Sequence, residues 1–308
     1  MVVVRTSAWR TAADPDDLRE YDRFGPWLDR VHQQRDLPRR FRPWYPELAG
    51  ETHLVKLPRD LDRAQVRPGM DLYRCVLAIF ADRIVVLGAE DPGAPDVARS
   101  DLALADVVAT RLYGNLLVGR WTLLLADGSE LSVRFNSVSE PEIAELDRYV
   151  LRTPATDLRP APRPPAAEVR DHFFRSRLGA LSAATDDPVR PVHVEEPLRP
   201  CTDDRGRRRL ASGVLVLETP TALVVVDRDK TARSRSRRTN YATNTTTIPF
   251  ARITSFSVVP PGQPGRFGRL VLRCDRQVIT VPVLTRPEAA VAVLASHGVH
   301  PDATGRPW

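Results

Sequence analysis

The chain repeats itself, and that repetition limits what it can fold into more than any single residue does. Ser139-Glu140-Pro141-Glu142 opens a helical stretch after a run of β-patterned segments, and Thr285-Arg286-Pro287-Glu288 does the same 146 residues later. Leu102, Leu104 and Val107 return at that offset as Ile248, Phe250 and Ile253. A match of this extent covers a domain. The 308 residues therefore read as a small β-rich domain present twice, each copy large enough to bury its own core.

Residues 1–70 read as a helical and irregular extension. Asp14 before Pro15 is a helix start, with Leu18, Tyr21 and Phe24 on one face, and a second short helix is expected from Pro26 with Trp27 and Val31. The basic and aromatic run Arg39-Arg40-Phe41-Arg42-Pro43-Trp44-Tyr45 has the composition of a recognition element. The simpler reading is that Trp27, Trp44 and Tyr45 pack this segment onto the first domain.

From Asp71 the apolar period changes to two. The first domain, residues 71–152, is expected to hold a hairpin of Tyr73 to Phe80 with Arg83 to Gly88, then strands at Val107 to Tyr113, Arg120 to Ala126 and Leu131 to Phe135. Its closing helix has Ser139 as N-cap, with Glu142 three residues on as a capping box. The second domain, residues 201–299, runs in the same order through Leu210 to Leu217, Ala222 to Asp227, Ile253 to Val259, Arg269 to Cys274 and Val278 to Val283, with a helix capped by Thr285. The proline-rich linker, residues 153–200, carries a predicted helix near 166–183 with Phe174, Leu178 and Leu181 on one face, and a tail follows at 300–308.

A net charge of +6 and a pI of about 9.6 suggest a polyanion partner. Lysine, however, occurs only at Lys56 and Lys230, so the excess of arginine reflects a compositional bias, and only its clustering is informative. Cys75, Cys201 and Cys274 are widely spaced and match no metal or disulfide pattern; Cys75 and Cys274 fall in predicted strands as small apolar residues. No apolar segment reaches membrane-spanning length, and the N-terminal run is too short for a signal peptide, so the expected location is the cytoplasm.

Asp82-Arg83-Ile84-Val85-Val86, the segment Asp101-Leu102-Ala103-Leu104-Ala105-Asp106-Val107, and Thr246-Thr247-Ile248-Pro249-Phe250-Ala251-Arg252-Ile253 in the second copy carry a resemblance to bacterial pleckstrin-homology-like domains and the related GRAM domains. The resemblance implies an α+β, mainly β fold: two bent-sheet or open-barrel domains, each closed by a C-terminal helix, plus the N-terminal and linker helices. It also implies a module that binds proteins or membrane lipids, with no catalytic residue to carry over. With the segment at Leu102 and Leu104, and its counterpart at Ile248, six strands are legible per copy, one fewer than that fold has.

The charge is concentrated in the second copy. Arg228, Lys230, Arg233, Arg235, Arg237 and Arg238 lie in or beside the connection following Asp227, and an antiparallel hairpin is expected to bring Arg205, Arg207, Arg208 and Arg209 to the same end. Less four aspartates, the net six charges give about 6 kcal/mol against an anionic membrane, reversible association at tens of micromolar. The corresponding loop of copy one is acidic, with Glu90, Asp91 and Asp96. A solvated loop, an anionic partner and pairing with the acidic loop all fit this pattern. Nucleic acid is the alternative partner, through the cations and Tyr241, although an aromatic content of 6% gives little for bases to stack on.

No nucleophile, base or metal set is assembled by the sequence. His172, His193, His297 and His300 are scattered, His193-Val194-Glu195-Glu196 lacks a second histidine nearby, and Gly262, Gly265 and Gly268 stand between strands. The expectation is a non-enzymatic adaptor without cofactor or metal, binding another protein and touching the inner membrane face weakly through the second copy.

Overall fold

The structure, a computed structural model, describes residues 10, 12–88, 96–152, 165–195, 197, 200–202, 208–210, 213–228, 242–260, 268–283 and 287–302. The chain forms two units interleaved in sequence: residues 1–105 with 135–150, and residues 106–134 with 151–308.

In the first unit, helix α1 (Pro15–Arg23) starts at Asp14, whose side chain accepts from the Asp16 amide at 2.8 Å. Five antiparallel strands follow in spatial order β1 (Asp29–Arg30), β2 (His53–Pro58), β3 (Tyr73–Ile79), β4 (Arg83–Gly88) and β5 (Ala98–Ala103). The short helix α2 (Tyr45–Leu48) and the 3-10 turns at 34–36 and 39–44 lie between β1 and β2. Phe41, Leu48, Leu54, Val76 and Leu87 form the core, with Trp44 and Tyr45 packed on it. Two expectations are corrected here. The segment after Pro26 forms strand β1, because its backbone pairs with β2 at Asp29↔Lys56 and Arg30↔Val55, and Trp27 stays 51% exposed.

Helix α3 (Glu140–Val150) closes this unit, but without the predicted capping box. The Ser139 hydroxyl accepts from the Leu28 amide at 2.6 Å, and Asn136 caps a preceding 3-10 turn by accepting from the Val138 amide. The Ser139 hydroxyl thus points to a distant amide and ties the start of α3 to the segment before β1.

The second unit contains a seven-stranded antiparallel sheet, a three-stranded sheet and a ribbon. Its strands are β6 (Val107–Asn115), β7 (Val118–Leu125), β8 (Glu130–Asn136), β9 (Arg190–Glu195), β10 (Pro200–Thr202), β11 (Arg208–Leu210), β12 (Val214–Glu218), β13 (Ala222–Arg228), β14 (Thr243–Pro249), β15 (Ser255–Val259), β16 (Gly268–Cys274) and β17 (Gln277–Val283). The large sheet runs β8-β7-β6-β14-β13-β12-β9, so strands from the two sequence repeats join edge to edge at β6 and β14. Val108, Leu124, Val216, Val225, Leu270, Leu272, Val293 and Leu294 share one core, in which α5 (Glu288–Ser296) takes part. Thr285, the expected cap of α5, lies outside the described residues.

The linker helix α4 is shorter than predicted, His172–Ala183, because Asp171 caps it by accepting from the Phe174 amide at 3.0 Å. Phe174 packs fully buried against Leu215, Leu217, Val224 and Val226 on the sheet face. Cys75 and Cys274 are buried free thiols, each pushed up to about 12 by burial.

The fold is thus α+β and mainly β: among the described residues, fifteen strands make three antiparallel sheets beside the ribbon, with five helices and no closed barrel. The repeat persists as element order. Four strands (β2 to β5), a 3-10 turn at 104–106, three strands and helix α3 correspond to β9, β12, β13 and β14, a 3-10 turn at 250–252, three strands and helix α5. The two turns stand 146 residues apart, as the sequence match does.

Gly213 has φ +83°, and an added Cβ would come within 2.9 Å of the Phe174 ring and 3.0 Å of the Glu195 carbonyl oxygen. Gly213→Ala is expected to destabilise the second unit by about 1–3 kcal/mol, and Phe174→Ala by about 3–5 kcal/mol, each measured by urea denaturation.

Candidate anionic-surface interface

Strands β6 and β7 meet in a two-residue turn. Gly114 pairs with Gly119 and Asn115 with Val118, leaving Leu116 and Leu117 at the tip. Such turns favour glycine or asparagine because they need positive φ. Leu116 adopts φ +51°, a conformation that costs a residue with a Cβ roughly 1–2 kcal/mol. The tip is also apolar where water is expected: Leu116, Leu117 and Val118 are 70%, 68% and 52% exposed.

Behind the tip, residues two apart share a face. Val118 and Arg120 are two apart on β7, and Tyr113 and Arg111 are two apart on β6, with Tyr113 opposite Arg120 and Arg111 opposite Thr122. Arg111 and Arg120 make no ion pair among the described residues.

The register of the sheet fixes what lies beside this hairpin. Thr243, the first residue of β14, pairs with Gly114 of β6 and with Arg228, the last residue of β13. The connection from β13 to β14 therefore leaves and rejoins the sheet at the end that carries the Leu116–Leu117 tip. Of the cations expected there, Lys230, Arg233, Arg235, Arg237 and Arg238 lie outside the described residues. Arg228 is engaged within the unit: its guanidinium lies 3.6 Å from Asp171 and 4.6 Å from the centre of the Phe173 ring. Arg207 also lies outside the described residues. The backbones of Arg208 and Arg209 belong to the separate β10–β11 ribbon, paired with Thr202 and Cys201, because β12 begins only at Val214.

Two charged clusters escaped the sequence reading. In the second unit, Glu218 at the end of β12 faces His297 Nε2 at 3.0 Å and also binds the Arg190 guanidinium. Phe250 stacks on the His297 ring at 3.6 Å between centroids. This buried array ties the C-terminus of α5 to the sheet, so His297 is an internal fastening here rather than a surface histidine. His193 and Glu195 are likewise buried, on β9, and no cluster of three or more metal-ligating side chains occurs among the described residues.

In the first unit, a shallow cleft with room for little more than a water is lined by Glu20, Asp36, Arg42 and Lys56 among others. Lys56 is buried, donates to the Asp36 carbonyl at 2.8 Å, approaches Asp29 at 3.2 Å and lies 4.5 Å from the Tyr73 ring. Arg23 pairs with Asp36, Arg42 with Asp16, Arg39 with Asp14 and Asp17, and Arg40 with Asp71. The basic stretch from Arg39 is therefore spent on internal pairs. The amide of His32 and the guanidinium of Arg23 outweigh burial and hold Asp36 below the usual carboxylate range. Burial pushes Glu20 from its ordinary 4.5 up to about 7, against the pull of Lys56 and Arg42.

No protein-family model and no curated protein sequence matches the chain.

Removing Glu218 takes away the one carboxylate that binds both the Arg190 guanidinium and the buried His297 ring. Glu218→Ala is expected to lower stability by about 3 kcal/mol in urea denaturation. For Glu20, a raised folded pKa means the carboxyl is at ease when protonated. Its contribution is complete below pH 4.5 and lost as pH rises through about 7. Glu20→Gln should therefore match the parent near pH 4.5 and exceed it at pH 8 by on the order of 1 kcal/mol, after allowing for its partial exposure.

Proposed function

We propose that the chain is a non-enzymatic binding protein of two pleckstrin-homology-like modules, an adaptor for another protein that also associates weakly with an anionic membrane surface. The modular part of this reading is supported by the recurring order of four strands, a 3-10 turn, three strands and a helix. In that reading β2 and β9 are the seventh strands that the sequence pattern left unseen, and the location is cytoplasmic, at the inner face of the membrane.

The observation that carries the surface reading is the placement of the β13–β14 connection at the same sheet end as the exposed tip of β6–β7. The sequence from 229 to 241 holds five cations and Asp229, a net charge of four. At about 1 kcal/mol per charge this gives about 4 kcal/mol, a dissociation constant in the millimolar range. Arg228 adds little, since Asp171 and Phe173 already hold it. Charge alone thus supplies only a transient encounter, which suits an adaptor whose main affinity comes from a protein partner or a second contact.

Flotation with phosphatidylcholine vesicles, with and without phosphatidylserine, tests the reading. The chain should float only with the acidic vesicles, and replacing Arg233, Arg235, Arg237 and Arg238 with Ser should reduce its retention to the level on neutral lipid. Retention unchanged by the four substitutions removes the connection from the account. Retention on oligonucleotides but on neither vesicle assigns the charge to nucleic acid instead.

A further inference from the structure

Among the described residues, the exposed large apolar side chains are mostly isolated: Trp27, Met70, Val138, Val258 and Val278 each stand apart in the sequence. Scattered residues of that kind are ordinary on protein surfaces. Leu116, Leu117 and Val118 differ in being consecutive, in sitting at the extreme end of a hairpin, and in occupying a turn whose backbone favours glycine or asparagine. The fold itself gains nothing from leucine at that position. An apolar side chain kept there against local preference points to a contact made outside the chain.

We propose that the β6–β7 hairpin is a membrane-insertion tip, which places Leu116, Leu117 and Val118 at the acyl boundary of an anionic bilayer while Arg120 and Tyr113 meet the headgroups and Arg111 stands behind them on the same face. The proposal rests on the surface reading above and supplies the second contact which that reading requires. Its spacing fits the layers of a bilayer. A strand rises about 3.3 Å per residue, so Arg120 lies about 7 Å behind Val118. The headgroup layer between hydrocarbon and water is about 5–8 Å deep on each side, and interfacial elements bury their apolar face by about 5–10 Å. With the tip at the acyl boundary, the Arg120 guanidinium reaches phosphate level, and Tyr113, its cross-strand partner, occupies the aromatic position typical of membrane interfaces.

Charge selects the occupant. Arg111 and Arg120 have no carboxylate partner among the described residues, and the adjacent β13–β14 connection is cationic in sequence. An acidic lipid surface satisfies both, whereas a neutral apolar protein groove would leave the arginines without counter-charge. The two contributions also have different salt dependence: the cationic connection weakens as ionic strength rises, and the apolar tip does not.

The test attaches the environment-sensitive fluorophore NBD to Leu117→Cys in the full chain carrying Cys201→Ser, leaving the buried Cys75 and Cys274 in place. With phosphatidylserine-containing vesicles the emission should shift to the blue, and with phosphatidylcholine alone it should not. Flotation without a spectral shift leaves the surface reading standing and overturns insertion. Absence of flotation overturns both, and a shift that appears without vesicles at raised protein concentration assigns the tip to a second copy of the chain. Leu116→Gly provides the control against misfolding. It relieves the turn, so it should raise the melting temperature while weakening binding to acidic vesicles about tenfold. Equal or tighter binding of that stabilised variant would count against the proposal.

Discussion

The structure depends on one backbone contact, the pairing of β6 with β14. Residues 110 to 114 of the first repeat lie antiparallel to residues 243 to 247 of the second, and this ladder makes seven strands into one sheet. Without it β6 and β14 would each present an open edge with unpaired amides and carbonyls, the usual starting point for aggregation. With it, each repeat covers an edge of the other. It also sets the functional geometry, because the register Gly114↔Thr243 places the apolar hairpin tip and the ends of the cationic connection at one end of the sheet.

A duplication accounts for this arrangement economically. Two copies of one β-rich module carry the same edges, so a chain that contains both can satisfy them internally. The two repeats differ where they do not pair. The first carries an apolar β6–β7 tip, and in the second the sequence joining β13 to β14 is basic. Neither element would have much affinity alone. In the proposed reading, a weak electrostatic attraction and a small apolar contact at one sheet end would act together on the same surface, and their effects would multiply.

Much of the fold was legible where the apolar alternation was strong. The hairpin β3–β4, the strands β7, β8, β16 and β17, and the start of α1 at Asp14 all follow from local pattern. The strands that the pattern missed have physical reasons for being missed. β5 is Ala98–Ala103, pairs only with β4 and is largely exposed, so Leu102 alone marks it in the pattern. β14 is rich in threonine, β9 carries a proline and a histidine, and β2 buries a lysine in mid-strand. In each case backbone pairing to a neighbour decides the conformation, and sequence pattern does not report it. Lys56 did leave one clue: in a chain that otherwise uses arginine almost throughout, this lysine stands where a compact ammonium reaches the Asp36 carbonyl and Asp29. The candidate site was half legible. Its charge could be counted in the sequence, but the Leu116–Leu117 tip, between the expected strands Val107 to Tyr113 and Arg120 to Ala126, carries no local sign of its exposure, because nothing local distinguishes an exposed leucine from a buried one. The partners of His297 are remote in sequence, and no local signal places Glu218 and Phe250 against it.

Hydrogen exchange of the full chain, followed by mass spectrometry, tests the central pairing most directly. The account predicts that peptides covering residues 110–114 and 243–247 are protected to the same degree and lose protection together as denaturant is raised. Rapid exchange at 243–247 alongside slow exchange in β13 would show β14 to be a free edge, and would contradict the account.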